Sequence, residues 1–165
     1  MPNLKHEDVC TLLKNLEDKD ILTRKLFDVN LRLMKTSLEY KAIVLKACEY
    51  IRELAMTERE GYKKPHGFSG ANAGIPWNII ALADGRVMIN PKILSNHNGE
   101  VTYGYSNCGS LLLPEPIKVS RWTRITFEYW DRDLIRHAVA GHYPTVQHEI
   151  DHNNGILITD RKVEG

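Results

Sequence analysis

Two histidines four residues apart, His148 and His152, enclose Glu149 in an H-E-x-x-H pattern. On an α-helix that interval sets both imidazoles on one face, one turn apart, where they can close on a single metal ion. Glu149 follows the first of them, where a carboxylate can take and return a proton at a metal-activated water. A tetrahedral ion with one open position needs three protein ligands, so the pair calls for another from elsewhere in the chain. The pattern is short and also occurs by chance in helices that bind nothing.

The elements that must position this group can be read in outline. Pro144 suits the first turn of a helix, because the N–H it lacks would be unpaired there anyway. Asn154-Gly155 supplies a stop just past His152. Residues 1 to about 60 read as helical. Val9, Leu12, Leu13 and Leu16 recur at helical spacing, as do Ala42, Ile43, Ala47, Ile51 and Leu54. The second of these segments starts near Thr36, with Glu39 three residues on as a capping box, and runs to about Glu60. Its stripe is a core face.

From Gly67 to Gly74 the chain is built of small residues, which allow close approach of the backbone to a ligand or another segment. Trp77 to Ala83 and Arg86 to Asn90 read as strands joined by the hairpin signal Asp84-Gly85. Pro91 and the cluster from Ser95 to Gly99 end that pair. Val101 to Tyr105 reads as a further strand. Ile125, Phe127 and Tyr129 alternate with polar residues, the period of a half-buried strand, with Leu134 to Val139 as its return partner after a turn at Asp131-Arg132-Asp133. The expected fold is α+β in a single domain over residues 1–165, with antiparallel sheets around a late metal-binding helix and a helical N-terminal third.

Composition fits an ordinary globular chain: 165 residues, 42% hydrophobic, 26% charged. A net charge of +1 shows no basic bias of the kind nucleic acid or an anionic membrane calls for. No apolar leader segment and no membrane span is visible, so a cytoplasmic protein is expected. Three widely spaced cysteines argue against a disulfide framework. Cys10 and Cys48 fall at helical core spacing.

The stretch Gln147 to Gly155 resembles the third motif of peptide deformylases, Q-H-E-x-D-H-x-x-G, and Ile156 to Arg161 resembles the strand that follows it. Ser106-Asn107-Cys108-Gly109-Ser110 is similar to their second motif, E-G-C-L-S, with the cysteine and serine in place. Gly67-Phe68-Ser69-Gly70-Ala71-Asn72 lies in the register of their first, G-φ-A-A-x-Q. Val87 to Ile93 looks like their I-N-P-x-I strand.

The resemblance implies one divalent ion, Fe²⁺ natively or Zn²⁺, Ni²⁺ or Co²⁺ in its place, on Cys108, His148 and His152. It implies Glu149 as acid and base, and the Gly109 N–H and Asn72 amide as donors to the oxyanion. Gly67, Phe68, Pro144 and Thr145 would line the substrate site. The implied substrate is the N-formylmethionyl end of a nascent peptide, with the ribosome as a natural partner and no direct contact with nucleic acid or membrane. The remaining histidines, His6, His66, His97, His137 and His142, lack ligand spacing and read as surface or packing residues. Asp151 points away from the His face and reads as a surface or supporting carboxylate.

Departures from the motifs gather at the substrate. Asn72 replaces Gln, Ser69-Gly70 replaces Ala-Ala, Ser106 replaces Glu, Gly109 replaces Leu, and Asn153 replaces Leu. They fit a diverged deformylase, of organellar or viral type included. They also fit a related metalloamidase or peptidase with another N-acyl substrate. A third reading is a non-catalytic relative that holds a metal and binds peptides, against which Glu149 argues.

Overall fold

The computed structural model describes residues 25–57, 67–106 and 116–163. The expected helix through Val9 and Leu16, together with Cys10, His6, His66, Cys108 and Gly109, lies outside them.

Two helices open the described chain, α1 (Leu31–Thr36) and α2 (Leu38–Met56). The second is capped by Ser37, one residue later than Thr36, because the Ser37 hydroxyl accepts the Tyr40 N–H. Its buried face runs through Val44, Ala47, Cys48, Ile51 and Leu54. That is the expected stripe turned slightly, with Ala42 exposed. Among the described residues, 25–30 before α1 are extended, contrary to the helical expectation there. Lys25 bridges Asn154, and Phe27 bridges Trp77. Leu26 N–H donates to the Asn153 carbonyl at 2.8 Å, and Phe27 N–H to the Pro76 carbonyl at 3.0 Å.

The main sheet has five antiparallel strands in the order β1 (Gly67–Ser69), β2 (Ile79–Leu82), β3 (Val87–Ser95), β6 (Ile125–Trp130), β7 (Arg136–Gly141). A second sheet pairs β4 (Val101–Ser106) with β5 (Ile117–Trp122). Helix α2 packs on one face of the main sheet and α4 (Pro144–Asn153) on the other. Alternation along β2 sorts its side chains between the two: Ile79 and Ala81 join the α2 cluster, Ile80 and Leu82 the α4 cluster. With both faces covered, β2 is apolar throughout.

The hairpin at Asp84-Gly85 is present, with Gly85 at φ 93°. Pro91 does not end β3. Pairing with β2 stops at Ile89, the strand bulges between Ile89 and Lys92, and it continues beside β6 to Ser95. Pro91, which has no N–H to give, sits within that bulge. Asn90 beside it has φ 52°, and its side-chain amide pairs with both the N–H and the carbonyl of Val29.

β6 buries Ile125, Phe127 and Tyr129 as its alternation requires. The segment Ile156 to Arg161 is not a strand. It closes into a 3₁₀ turn over Ile158–Arg161, because the Asp160 carboxylate captures the Leu157 N–H at 2.8 Å. Among the described residues no helix is long and apolar enough to cross a membrane.

Candidate metal centre

Helix α4 begins with Pro144 at its first position and stops at Asn154, with Gly155 left-handed at φ 77°. Its ten residues bury one side almost completely: His152 is 1% and Glu149 4% exposed. The Nε2 atoms of His148 and His152 face each other at 3.1 Å, with the rings nearly perpendicular. Two ligand nitrogens at about 2.0–2.1 Å from one tetrahedral ion would lie roughly 3.3 Å apart, so the pair fits a shared ion.

Burial holds both histidines in the neutral form that a metal requires. His148 is pushed well below its ordinary range, first by desolvation and then by the neighbouring His152 and the Arg121 charge. His152 is lowered to about 4 by desolvation, which Asp151 opposes and Arg121 reinforces. Glu149 moves the other way, up to about 8, because burial outweighs the hydrogen bond from Ser69 and the charge of Arg121. Its Oε2 is buried without a hydrogen-bond partner among the described residues. Among those residues no third His, Cys, Asp or Glu joins the pair. A cation beside this carboxylate would favour its ionised form, so the donor set and the acid group are mutually consistent.

The pair is braced by a residue that sequence reading missed. Arg121 on β5 donates to Asp151 Oδ2 at 2.6 Å, and its guanidinium packs 3.2 Å from His148 Nδ1. Arg161 completes the group, reaching the two Asp151 oxygens at 3.0 and 3.1 Å. Asp151 is therefore a buried supporting carboxylate, 7% exposed, rather than a surface one. The signal for Arg121 was its place in strand alternation with Val119, which puts a charge on the inward face and demands a buried partner. Gln147 ties the helix to the same strand, its side-chain amide pairing with both the N–H and the carbonyl of Trp122 at 2.9 and 3.0 Å.

Strand β1 approaches the helix where Gly67 lies. A Cβ there would stand 3.0 Å from Thr145 Cγ2 and 3.1 Å from Glu149 Cγ. Gly67, Thr145 and Glu149 are thus brought together, with Pro144 one residue away at the helix start. Phe68 turns its ring to the opposite face, into the α2 cluster, so any contact it makes with a substrate comes from its backbone. Asn72 is 5% exposed on the short helix α3 (Gly70–Ala73). Asn153 docks that helix, accepting from Ala71 N–H at 3.2 Å and donating to Asn78 Oδ1 and the Ile79 carbonyl. The other described histidines have separate partners: His97 with Thr126, His137 with Asp131, His142 with the Trp122 carbonyl.

Comparison with known proteins shows the family. The family model described as polypeptide deformylase matches residues 25–164. A peptide deformylase of Oceanobacillus iheyensis is 30% identical over 154 residues, covering 85% of this chain and 83% of that protein. One from Streptococcus pneumoniae is 39% identical over 79 residues, 46% of this chain and 39% of its own length. Among solved structures, the peptide deformylase of Thermotoga maritima superposes with a TM-score of 0.71 at 21% identity, covering 88% of this chain and 92% of that one. An actinonin-bound class I type b peptide deformylase from Acinetobacter baumannii gives 0.62 at 25% identity, covering 87% and 92%.

Proposed function

Because this chain belongs to the polypeptide deformylase family, we propose that it removes the formyl group from N-terminal methionine through one divalent ion held by Cys108, His148 and His152. The chain is a metal-dependent hydrolase by family. The single observation that supports this assignment of residues is the facing of two neutral imidazoles at 3.1 Å beside a buried carboxylate. The ion is Fe²⁺, with Zn²⁺, Ni²⁺ or Co²⁺ able to take its place on a thiolate and two imidazoles.

The chemistry such an ion supplies is Lewis acidity toward a water and the formyl carbonyl. Glu149 takes a proton from the attacking water and delivers it to the departing amine. A C–O bond forms, the C–N bond breaks, and formate and a free N-terminus leave. The Asn72 amide and the Gly109 N–H donate to the oxygen on which charge develops. Arg121 packs behind the His148 ring, 3.2 Å from its Nδ1, and limits how the ring can turn. Gly67 and Thr145 form the wall between β1 and α4 along which an extended peptide lies, with Phe68 contributing backbone and Pro144 the rim. The substrate is the N-formylmethionyl end of a nascent peptide in the cytoplasm, presented near the ribosome.

Turnover of formyl-Met, acetyl-Met and unblocked peptides by iron-loaded protein, kept from oxygen, tests the reading. Preference for the formyl substrate is expected. Faster cleavage of acetyl-Met would move the chain to the metalloamidase reading, and no turnover of any peptide with metal bound would make it a binding protein.

A further inference from the structure

The departures at Ser69, Gly70 and Asn72 are not scattered; they form one hydrogen-bonded turn. Ser69 caps α3, accepting the Asn72 N–H at 3.3 Å. Its hydroxyl donates to Asn72 Oδ1 at 2.6 Å, and its backbone N–H donates to the same oxygen at 3.3 Å. Two donors on one oxygen decide which end of the amide is which. Rotating the amide would set its NH₂ against the Ser69 N–H and lose that bond, and would turn the Ser69 hydroxyl from donor to acceptor.

Gly70 lets the turn sit where it does. A Cβ on Gly70 would run into the Trp77 carbonyl oxygen and stand 3.1 Å from that of Ile75. The family pattern has alanine at this position, so the turn is seated deeper than an alanine would allow. Asn153, where the pattern has leucine, then holds the turn against α4 through the Ala71 N–H.

The geometry points to Ser69 as a positioning residue: it fixes the carbonyl end of Asn72 so that the NH₂ end is the one offered to the substrate. This rests on the reading of Asn72 as an oxyanion donor. Ser69 is fully buried, so it touches no substrate; it acts through Asn72 and through its contact with Glu149. On this account Ser69 and Asn72 replace an alanine–glutamine pair as a unit. Changing either alone toward the family residue harms the enzyme.

Kinetics in two backgrounds read this out. Losing an oxyanion donor outright costs about 10²–10³-fold in rate, and Ser69→Ala, which loosens the donor without removing it, is expected to lower kcat about tenfold. KM and metal content stay unchanged. In an Asn72→Ala background the same substitution should lower kcat clearly less than in the wild type, because only the contact with Glu149 is left to lose. Equal losses in both backgrounds, or no loss in either, would overturn the assignment.

NMR relaxation of the Asn72 side-chain amide supplies an arm that needs neither activity nor a variant that folds. A rigid NH₂ in the wild type, with an order parameter near about 0.85, supports the clamp, and one below about 0.6 overturns it. A wild type with a rigid Asn72 amide but no formyl-Met turnover would sink the deformylase reading and leave the Ser69 clamp standing.

Discussion

Replacing Asp151 with asparagine keeps the shape of the side chain and deletes its charge, and the cost can be worked from the contacts. The Asp151 carboxylate accepts three bonds, one from Arg121 at 2.6 Å and two from Arg161 at 3.0 and 3.1 Å. Its side chain is 11% exposed and that of Arg121 8%, whereas Arg161 is 33% exposed and can regain water. The loss therefore falls on Arg121, left as a buried cation without a counter-charge, which costs about 3–5 kcal/mol. For a domain of this size each kcal/mol shifts Tm by roughly 2–4 °C, so a fall on the order of 10 °C is expected.

Because Arg121 also touches His148, metal affinity should drop about 10–100-fold. Urea unfolding in chelator and a competitive metal titration read the two effects separately. The double variant Arg121→Met with Asp151→Leu replaces the pair by apolar groups. It should recover most of the stability but not the metal affinity. An Asp151→Asn protein within 1 kcal/mol (roughly the worth of an exposed pair) and with unchanged metal affinity would refute the reasoning.

Three further outcomes are expected. Cys108→Ala should abolish stoichiometric metal, measured by elemental analysis. Cys48→Ala should keep it, since burial pushes that thiol up to about 12 and denies it the thiolate form. Gly67→Ala should cost about 1–3 kcal/mol by overpacking against Thr145 and Glu149, and should lower kcat by shifting the acid group; an unchanged kcat would mean the wall yields elsewhere.

Metal-free protein should be most stable near pH 6.5. Below that, the unfolded histidines take up protons that the buried pair refuses, so stability falls as pH drops. Above it, Glu149 keeps a proton up to about pH 8 that its unfolded form has already lost, so stability falls as pH rises. Between pH 6.5 and 8 that second loss is about 2 kcal/mol, and Glu149→Gln should flatten it. A decline that persists unchanged in Glu149→Gln would assign it to another group.

Helix α4 was legible because local signals agreed there: a proline at the start, histidines at helical spacing, and Asn-Gly at the stop. β6 was legible from alternation alone. Where reading failed, a distant contact had overridden a local signal. Pro91 reads as a strand end. Yet the left-handed Asn90 beside it is held by two hydrogen bonds to Val29, and the strand bulges past the proline. Ile156 to Arg161 has strand composition, but one side chain, Asp160, turns it into a 3₁₀ turn. Lys25 to Phe27 reads as part of a helical third, and backbone partners far along the chain draw it out straight. Arg121 carries no local signal that names its partner, because Asp151 lies 30 residues further on. Asn153 looked like a polar lapse in a motif and proves to be the dock for the turn that carries Asn72.

That straight segment also sets when the site can be finished. Leu26 is bonded to Asn153, Phe27 to Pro76, and Val29 to Asn90, so one short stretch spans α4, the turn after α3 and the bulge of β3. Contacts this distant in sequence form only after long loops have closed, and loop closure is the slow, entropically costly part of folding. The last residues of α4 are therefore locked late, by a segment that carries none of the chemistry. Hydrogen exchange should show the amides of Leu26 and Phe27 opening together with those at the end of α4. Independent opening of the two would mean the segment merely rests on a site that is complete without it.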